Sequence, residues 1–176
     1  MKKLPIFLLG LLLGTIPTAF AVSMTFSDVS EDAWYYTSVS SLYNSGIVEG
    51  YTDNTYRPEN SVNRAEMAVM LDKQMNLNFA YDLAHAMVVW SNNRSTNQEI
   101  KINGVQIIGS SANAGGYSDA TIEEGNIPAL AEMLQGQTLE HISSCQEALE
   151  AQFWTIDDHC GFLGEIELSD TEFGTM

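Results

Sequence analysis

At 176 residues and 45% apolar side chains, the chain can bury a core; it suits one ordinary domain, or a small module plus a second small domain. Its formal net charge of −16 is unevenly placed: no Lys or Arg follows Lys101, while acids continue to Glu172. Phosphate binding needs clustered cations, so a nucleic-acid partner is excluded, and the acidic surface points to solubility and self-repulsion.

Lys2 and Lys3, the apolar run Leu4 to Leu13 and the small-x-small stretch Ala19-Phe20-Ala21 predict a secretory signal peptide over residues 1–21, cut after Ala21. No Cys lies near Ala21 to carry a lipid, and no later stretch is long and apolar enough to span a bilayer. The expectation is a chain exported in soluble form, with no transmembrane segment once processed.

A first helix is predicted from Ala33 to Asn44, with capping oxygens offered by Asp28 and Ser30 and a stop at Gly46. Trp34, Leu42 and Tyr43 fall near one of its faces. Residues 47–62 read as a loop, with turn chemistry at Asp53-Asn54 and a stop at Pro58. Asn63 is a good N-cap, and Glu66 three residues on completes a capping box for a second helix reaching at least Gln74. Asn76 and Asn78 weaken the helical signal and set a boundary between 22–78 and 79–176. A third helix is predicted from Phe79 to Trp90, either separate or continuing the second. Ala80, Leu83, Ala84, Met87 and Val88 give it a buried stripe.

Residues 91–98 are polar and read as a loop. Ile100-Lys101-Ile102 and Val105-Gln106-Ile107 flank Asn103-Gly104, the signature of a hairpin with a two-residue type I′ turn. Residues 109–118 read as a small-residue loop. Helices are predicted from Ile127 to Gln135, with Pro128 in the first turn, and from Leu139 to Phe153. The acidic stretch 157–176 shows little pattern and reads as a partly mobile tail. The expected fold is mainly α: a helix-loop-helix module, then an α+β region with several helices and one β-hairpin.

Phe26-Ser27-Asp28-Val29, Trp34, Gly46-Ile47-Val48-Glu49-Gly50-Tyr51, Asp53-Asn54-Thr55-Tyr56-Arg57-Pro58 and Asn63-Arg64-Ala65-Glu66 follow one another at a distinctive spacing. In order and spacing they resemble the S-layer homology domain, whose pattern is F-x-D-V, a helix-head Trp, G-I-I-x-G-Y, D-G-x-F-x-P and T-R-A-E. The chain departs from it by Asn54 for Gly, Tyr56 for Phe and Asn63 for Thr. Each change is mild: Asn tolerates a left-handed backbone and caps a helix at least as well as Thr. Tyr117-Ser118-Asp119-Ala120 faintly echoes the opening motif, but no Trp-headed helix or Arg-Ala-Glu follows it, so one copy is counted.

The resemblance implies a non-enzymatic protein of the cell surface or cell wall, held non-covalently to an acidic, often pyruvylated, secondary cell-wall polysaccharide. By that analogy Arg64 pairs with a carboxylate on the glycan, and Trp34, Gly50 and Tyr51 complete the site. Guanidinium suits the task because its planar fork of donors matches a carboxylate. Each residue also has a plainer reading: Arg64 as a structural arginine, Trp34 as a core anchor, Asp28 as a helix cap, with Asn63 and Glu66 purely structural. The family commonly packs three modules about a pseudo-three-fold axis with grooves between them. A lone module supplies only about 3–5 kcal/mol from its own core. It therefore packs on residues 79–176 or forms a homotrimer, and the alternative function is protein–protein assembly. A secreted hydrolase is the remote third reading.

Cys145 and Cys160 are an even pair in an exported chain and predict an intrachain disulfide, which closes a loop of about 15 residues and contributes about 3 kcal/mol. The rival is a zinc site from His141, Cys145, His159 and Cys160, for which adjacent His159 and Cys160 are poorly spaced. Asp53-Asn54-Thr55 lacks the Gly and closing Glu of a calcium loop. No nucleophile motif, metalloprotease helix or phosphate loop appears, so neither an enzyme, a metal nor a cofactor is expected.

Overall fold

The computed structural model describes residues 26–93, 98–112, 118–152 and 156–170. The predicted signal peptide, the end of the Leu139–Phe153 helix and the last six residues of the tail lie outside them. Among the described residues the order is α1 (Tyr36–Asn44), α2 (Arg64–Asn92), β1 (Gln98–Ile102), β2 (Val105–Ala112), β3 (Ser118–Ile122), α3 (Ile127–Leu134), α4 (Leu139–Glu150), α5 (Asp157–Cys160) and β4 (Ile166–Asp170). None of the described helices is long and apolar enough to cross a membrane.

α1 begins three residues later than its sequence predicts and has no side-chain cap at Tyr35. Its end is a Schellman motif: Gly46, at φ +71°, donates to the Tyr43 carbonyl, and Ile47 donates to that of Leu42. α2 opens on the predicted capping box. Asn63 Oδ1 accepts from the N–H groups of Ala65 and Glu66, and Glu66 Oε2 accepts from that of Asn63.

Of the two alternatives at Asn76 and Asn78, the helix continues. Asn76 donates to Asp72 Oδ2 and Asn78 accepts from Gln74, so both amides are engaged by side chains one turn back rather than by the backbone. α2 therefore runs unbroken for 29 residues. Ala80, Leu83, Ala84, Met87 and Trp90 are fully buried in the main core. That core also takes Ile47 and Val48 from the loop after α1, so the two halves of the chain are packed together. A smaller cluster of Phe26, Val29 and Val39 lies beside α1, with Phe26 edge-on to Tyr43 and stacked on Tyr56.

The hairpin forms where predicted, with Asn103 at φ +50° and Gly104 at φ +75° as a type I′ turn demands. It belongs, however, to a four-stranded antiparallel sheet of order β3-β2-β1-β4, not to a lone hairpin. A register shift after Ile100 leaves the successive residues Ile107 and Ile108 both fully buried, where strict alternation would have turned one outward. The expected loop at 109–118 is in part strand: Gly109 to Ala112 continue β2, and Ser118 opens β3.

The expected tail likewise contributes β4, which pairs along the whole of β1. Asn103 holds it there. Its side chain donates to the Leu163 carbonyl (2.9 Å) and accepts from the Glu165 N–H (3.0 Å), while its own N–H donates to the Glu165 carbonyl. α3 carries Pro128 in its first turn, and Thr138 caps α4. Cys145 on α4 and Cys160 on α5 form the predicted disulfide, with Cα atoms 4.8 Å apart. Their thiols are thereby consumed, which removes the zinc reading.

Candidate functional site

Between residues 47–63 and the first turns of α2 lies an open groove of about 540 Å³. Ile47 and Val48 form an apolar floor, and Val69 and Met70 stand on the helical wall. Lys73 reaches across from α2 to Glu49 (2.6 Å), and its ammonium holds the Glu49 carboxyl below the usual carboxylate range. Tyr51 and Tyr56 supply aromatic surface, and Tyr51 is 43% exposed.

The outer lip is built by a turn held together by its own side chains. Asp53 Oδ1 accepts from the Thr55 N–H and hydroxyl, and Asn54 takes φ +61°, the left-handed backbone that the departure from Gly had to allow. Arg57 Nη2 pairs with Asp53 Oδ2 at 2.8 Å, and its guanidinium carbon lies 3.9 Å from the centroid of the Tyr51 ring. The Thr55 hydroxyl, and then Arg57, hold the Asp53 carboxyl low, while Asp53 pushes the arginine up.

Arg57 is itself at φ +60°, a conformation that costs a non-glycine residue about 1–3 kcal/mol unless its surroundings impose it. Asp28 imposes it. Its carboxylate accepts from the N–H groups of Tyr56 (2.8 Å) and Arg57 (2.7 Å), and these bonds, Tyr56 foremost, hold its pKa low. Asp28 is thus structural, but as a clamp on this lip rather than as the expected cap of α1.

Of the predicted site residues, Gly50, Tyr51, Asn63 and Glu66 line the groove; Arg64 and Trp34 do not. Arg64 is exposed, and among the described residues no hydrogen bond or ion pair holds it, so the plainer reading of a structural arginine bonded to carbonyls or Glu66 has no support. Trp34 precedes α1, is 93% exposed and meets the Tyr35 ring edge-on, so it is no core anchor. Gly50 is explained by packing: a Cβ there would run into the Phe26 ring. Arg57, like Lys73 and Glu49, is a charged groove residue that the sequence does not single out as part of the site. Its signal was an acid–base pair four residues apart, Asp53 and Arg57, inside a turn-rich loop that also holds a Tyr.

The groove lining carries Glu49 and Glu66 against Arg57 and Lys73, so it is formally neutral in a strongly acidic chain. Each cation already has a carboxylate partner that an incoming anion would have to displace. The arrangement suits a ligand with one face that stacks on an aromatic ring and with polar or acidic groups at its edge.

Residues 25–68 match the family model of the S-layer homology domain. Over 64 residues the chain is 34% identical to an S-layer protein of Bacillus licheniformis, a stretch covering 36% of this chain and 7% of that protein. The chain thus spans a small part of that relative's length. No solved structure matches. Apart from Val69, Met70 and Lys73, every residue lining the groove falls inside the matched stretch, and residues 25–68 of this chain are an S-layer homology domain.

Proposed function

We propose that this chain is a non-enzymatic cell-envelope protein, held at the cell surface through non-covalent binding of an acidic wall glycan along the 47–73 groove. The observation that carries the reading is the position of that groove inside the matched domain, with Tyr51 and Arg57 stacked at its lip. A sugar ring would lie on the part of the Tyr51 ring that Arg57 leaves exposed, and its acidic substituent would exchange places with Asp53 or Glu49 at Arg57 or Lys73. Arg64, exposed and uncommitted at the head of α2, would meet a further acidic residue of the same polymer. Residues 79–176 would then be what the attachment displays.

The test is co-sedimentation of the processed protein with purified cell-wall sacculi, before and after chemical removal of their secondary polymer. Binding is expected only to sacculi that retain the polymer, and it should weaken as salt rises because the contacts are exposed ion pairs. Tyr51→Ala should lose about tenfold in affinity, roughly one stacking contact. Arg64→Ala should lose a comparable amount without any change in melting temperature. A well-folded wild type that fails to bind would sink the anchor reading and direct attention to a protein partner.

A further inference from the structure

Asn103 is followed by Gly104, and this is the sole Asn-Gly pair in the chain. Such a pair is disposed to modify itself. Glycine has no side chain to shield its backbone nitrogen from the preceding carboxamide, and its freedom of rotation lets the two meet. Here both residues are exposed at the tip of the β1–β2 turn, and a Cβ built on Gly104 would meet nothing within 4 Å.

What restrains the reaction is the clamp on β4. All the polar atoms of the Asn103 carboxamide are engaged: Nδ2 donates to the Leu163 carbonyl (2.9 Å) and to Met133 Sδ (3.8 Å), and Oδ1 accepts from the Glu165 N–H (3.0 Å). The fit is close, since a Cβ on Gly164 would run into the same carboxamide. Self-modification expels Nδ2, the atom that makes two of these three contacts, so it proceeds only while the clamp is open.

We propose that Asn103 is a deamidation site, and that its conversion releases β4 irreversibly. The proposal is independent of the glycan reading. The Gly104 amide gives its proton to hydroxide, and its nitrogen bonds to Asn103 Cγ. The Cγ–Nδ2 bond breaks, and Nδ2 takes up a proton from water and leaves as ammonia, so that a five-membered imide remains. Water then adds to either imide carbonyl and opens the ring, to aspartate or to isoaspartate. Nothing is oxidised or reduced, and water is the co-reactant throughout.

Neither product rebuilds the clamp. An ionised aspartate has no donor, so its carboxylate would set oxygen against the Leu163 carbonyl and the Met133 sulfur, beside a strand that already carries Glu165 and Glu167. Isoaspartate routes the main chain through the former side chain, which lengthens the two-residue turn and leaves a carboxylate too short to reach residues 163–165. β4 is the edge strand, paired with β1 alone, so it is the part of the sheet that loss of this anchor frees first.

Incubation in water labelled with oxygen-18 tests both steps. The processed protein is held folded at mildly alkaline pH beside a sample unfolded in urea, and peptides containing residue 103 are followed by mass. Label should enter at residue 103 in both, about tenfold or more slowly in the folded sample, the ratio expected when an opening worth at least one hydrogen bond precedes attack. The converted protein, separated by its added negative charge, should exchange the amides of β4 about tenfold faster or more, with β1 and β2 still protected from each other. Asn103→Asp, made directly, should show the same loosening, and the converted wild type decides the matter if that variant does not fold. No label in the folded chain once the unfolded one is fully converted, equal rates in the two samples, or unchanged exchange in β4 of the converted protein would each overturn the proposal.

Discussion

Gly50 and Asp28 show how a residue's type can be read correctly from sequence while its reason is not. Gly50 stands out in the motif, and a bare backbone suggests ligand approach, yet the space its Cβ would need is filled by a ring 24 positions away in the chain. That ring is buried and held between Tyr43 and Tyr56, so it cannot step aside cheaply. Gly50→Ala is therefore expected to cost about 1–3 kcal/mol by overpacking, seen as a lower denaturant midpoint, and Phe26→Leu in the same chain should recover part of it. Asp28 yields a pH prediction. Its native pKa is depressed by the Tyr56 and Arg57 N–H groups, so it stabilises the fold fully above the unfolded aspartate value. That contribution fades as pH falls below about 4 and is gone once pH has passed through the lower native value. Asp28→Asn should flatten the acid limb of a stability-against-pH curve, and an unchanged limb would show that Asp28 does not clamp the lip.

At the level of elements, what is local was legible. The capping box at Asn63, the Schellman end at Gly46, the Asn103-Gly104 turn and the buried stripe from Ala80 to Met87 each follow from a few neighbouring residues. The lip was readable only in part: its turn residues declared a loop, but Arg57 acquires its position through Asp28, which lies 29 residues earlier. The sheet was missed for the same reason. Gly109, Ser110 and Ser111 have poor strand propensity and become strand because Thr121, Ala120 and Asp119 of β3 pair with them. β4 looked like acidic tail, and it is an edge strand whose charged residues suit an edge. Asn103 links the legible part to the hidden one, since the residue that makes the turn also clamps the approach to β4. Asn103→Gly would keep the turn, because Gly accepts the same positive φ, but would cut both side-chain bonds to residues 163–165. It is expected to cost about 1–3 kcal/mol and to speed hydrogen exchange in β4 while β1 and β2 stay protected from each other. Equal loosening across all four strands would mean that the turn, and not the clamp, had been damaged.

The whole molecule is organised by α2, which has one end in the groove and the other in the main core. Its first turns are mostly exposed and bury little of their own, so the groove wall they form depends on the same helix being held further along, where α3 and α4 pack on it. Asn76 and Asn78 are poor helix formers in the middle of this helix, and tertiary packing over the next four turns outweighs them. The disulfide tests this linkage at a distance. Cys145–Cys160 ties α4 to α5 just ahead of β4, far in sequence from the groove, and closes a loop of about 15 residues that contributes about 3 kcal/mol. Replacing both cysteines with Ala should lower the melting temperature by roughly 6–12 °C for a chain of this size. If α2 transmits packing along its length, the slowest-exchanging amides of its first turns should lose as much protection as those around Trp90, and the unfolding should remain a single transition. If residues 26–76 instead melt independently, exchange there will be untouched by the loss of the disulfide, and two transitions will separate.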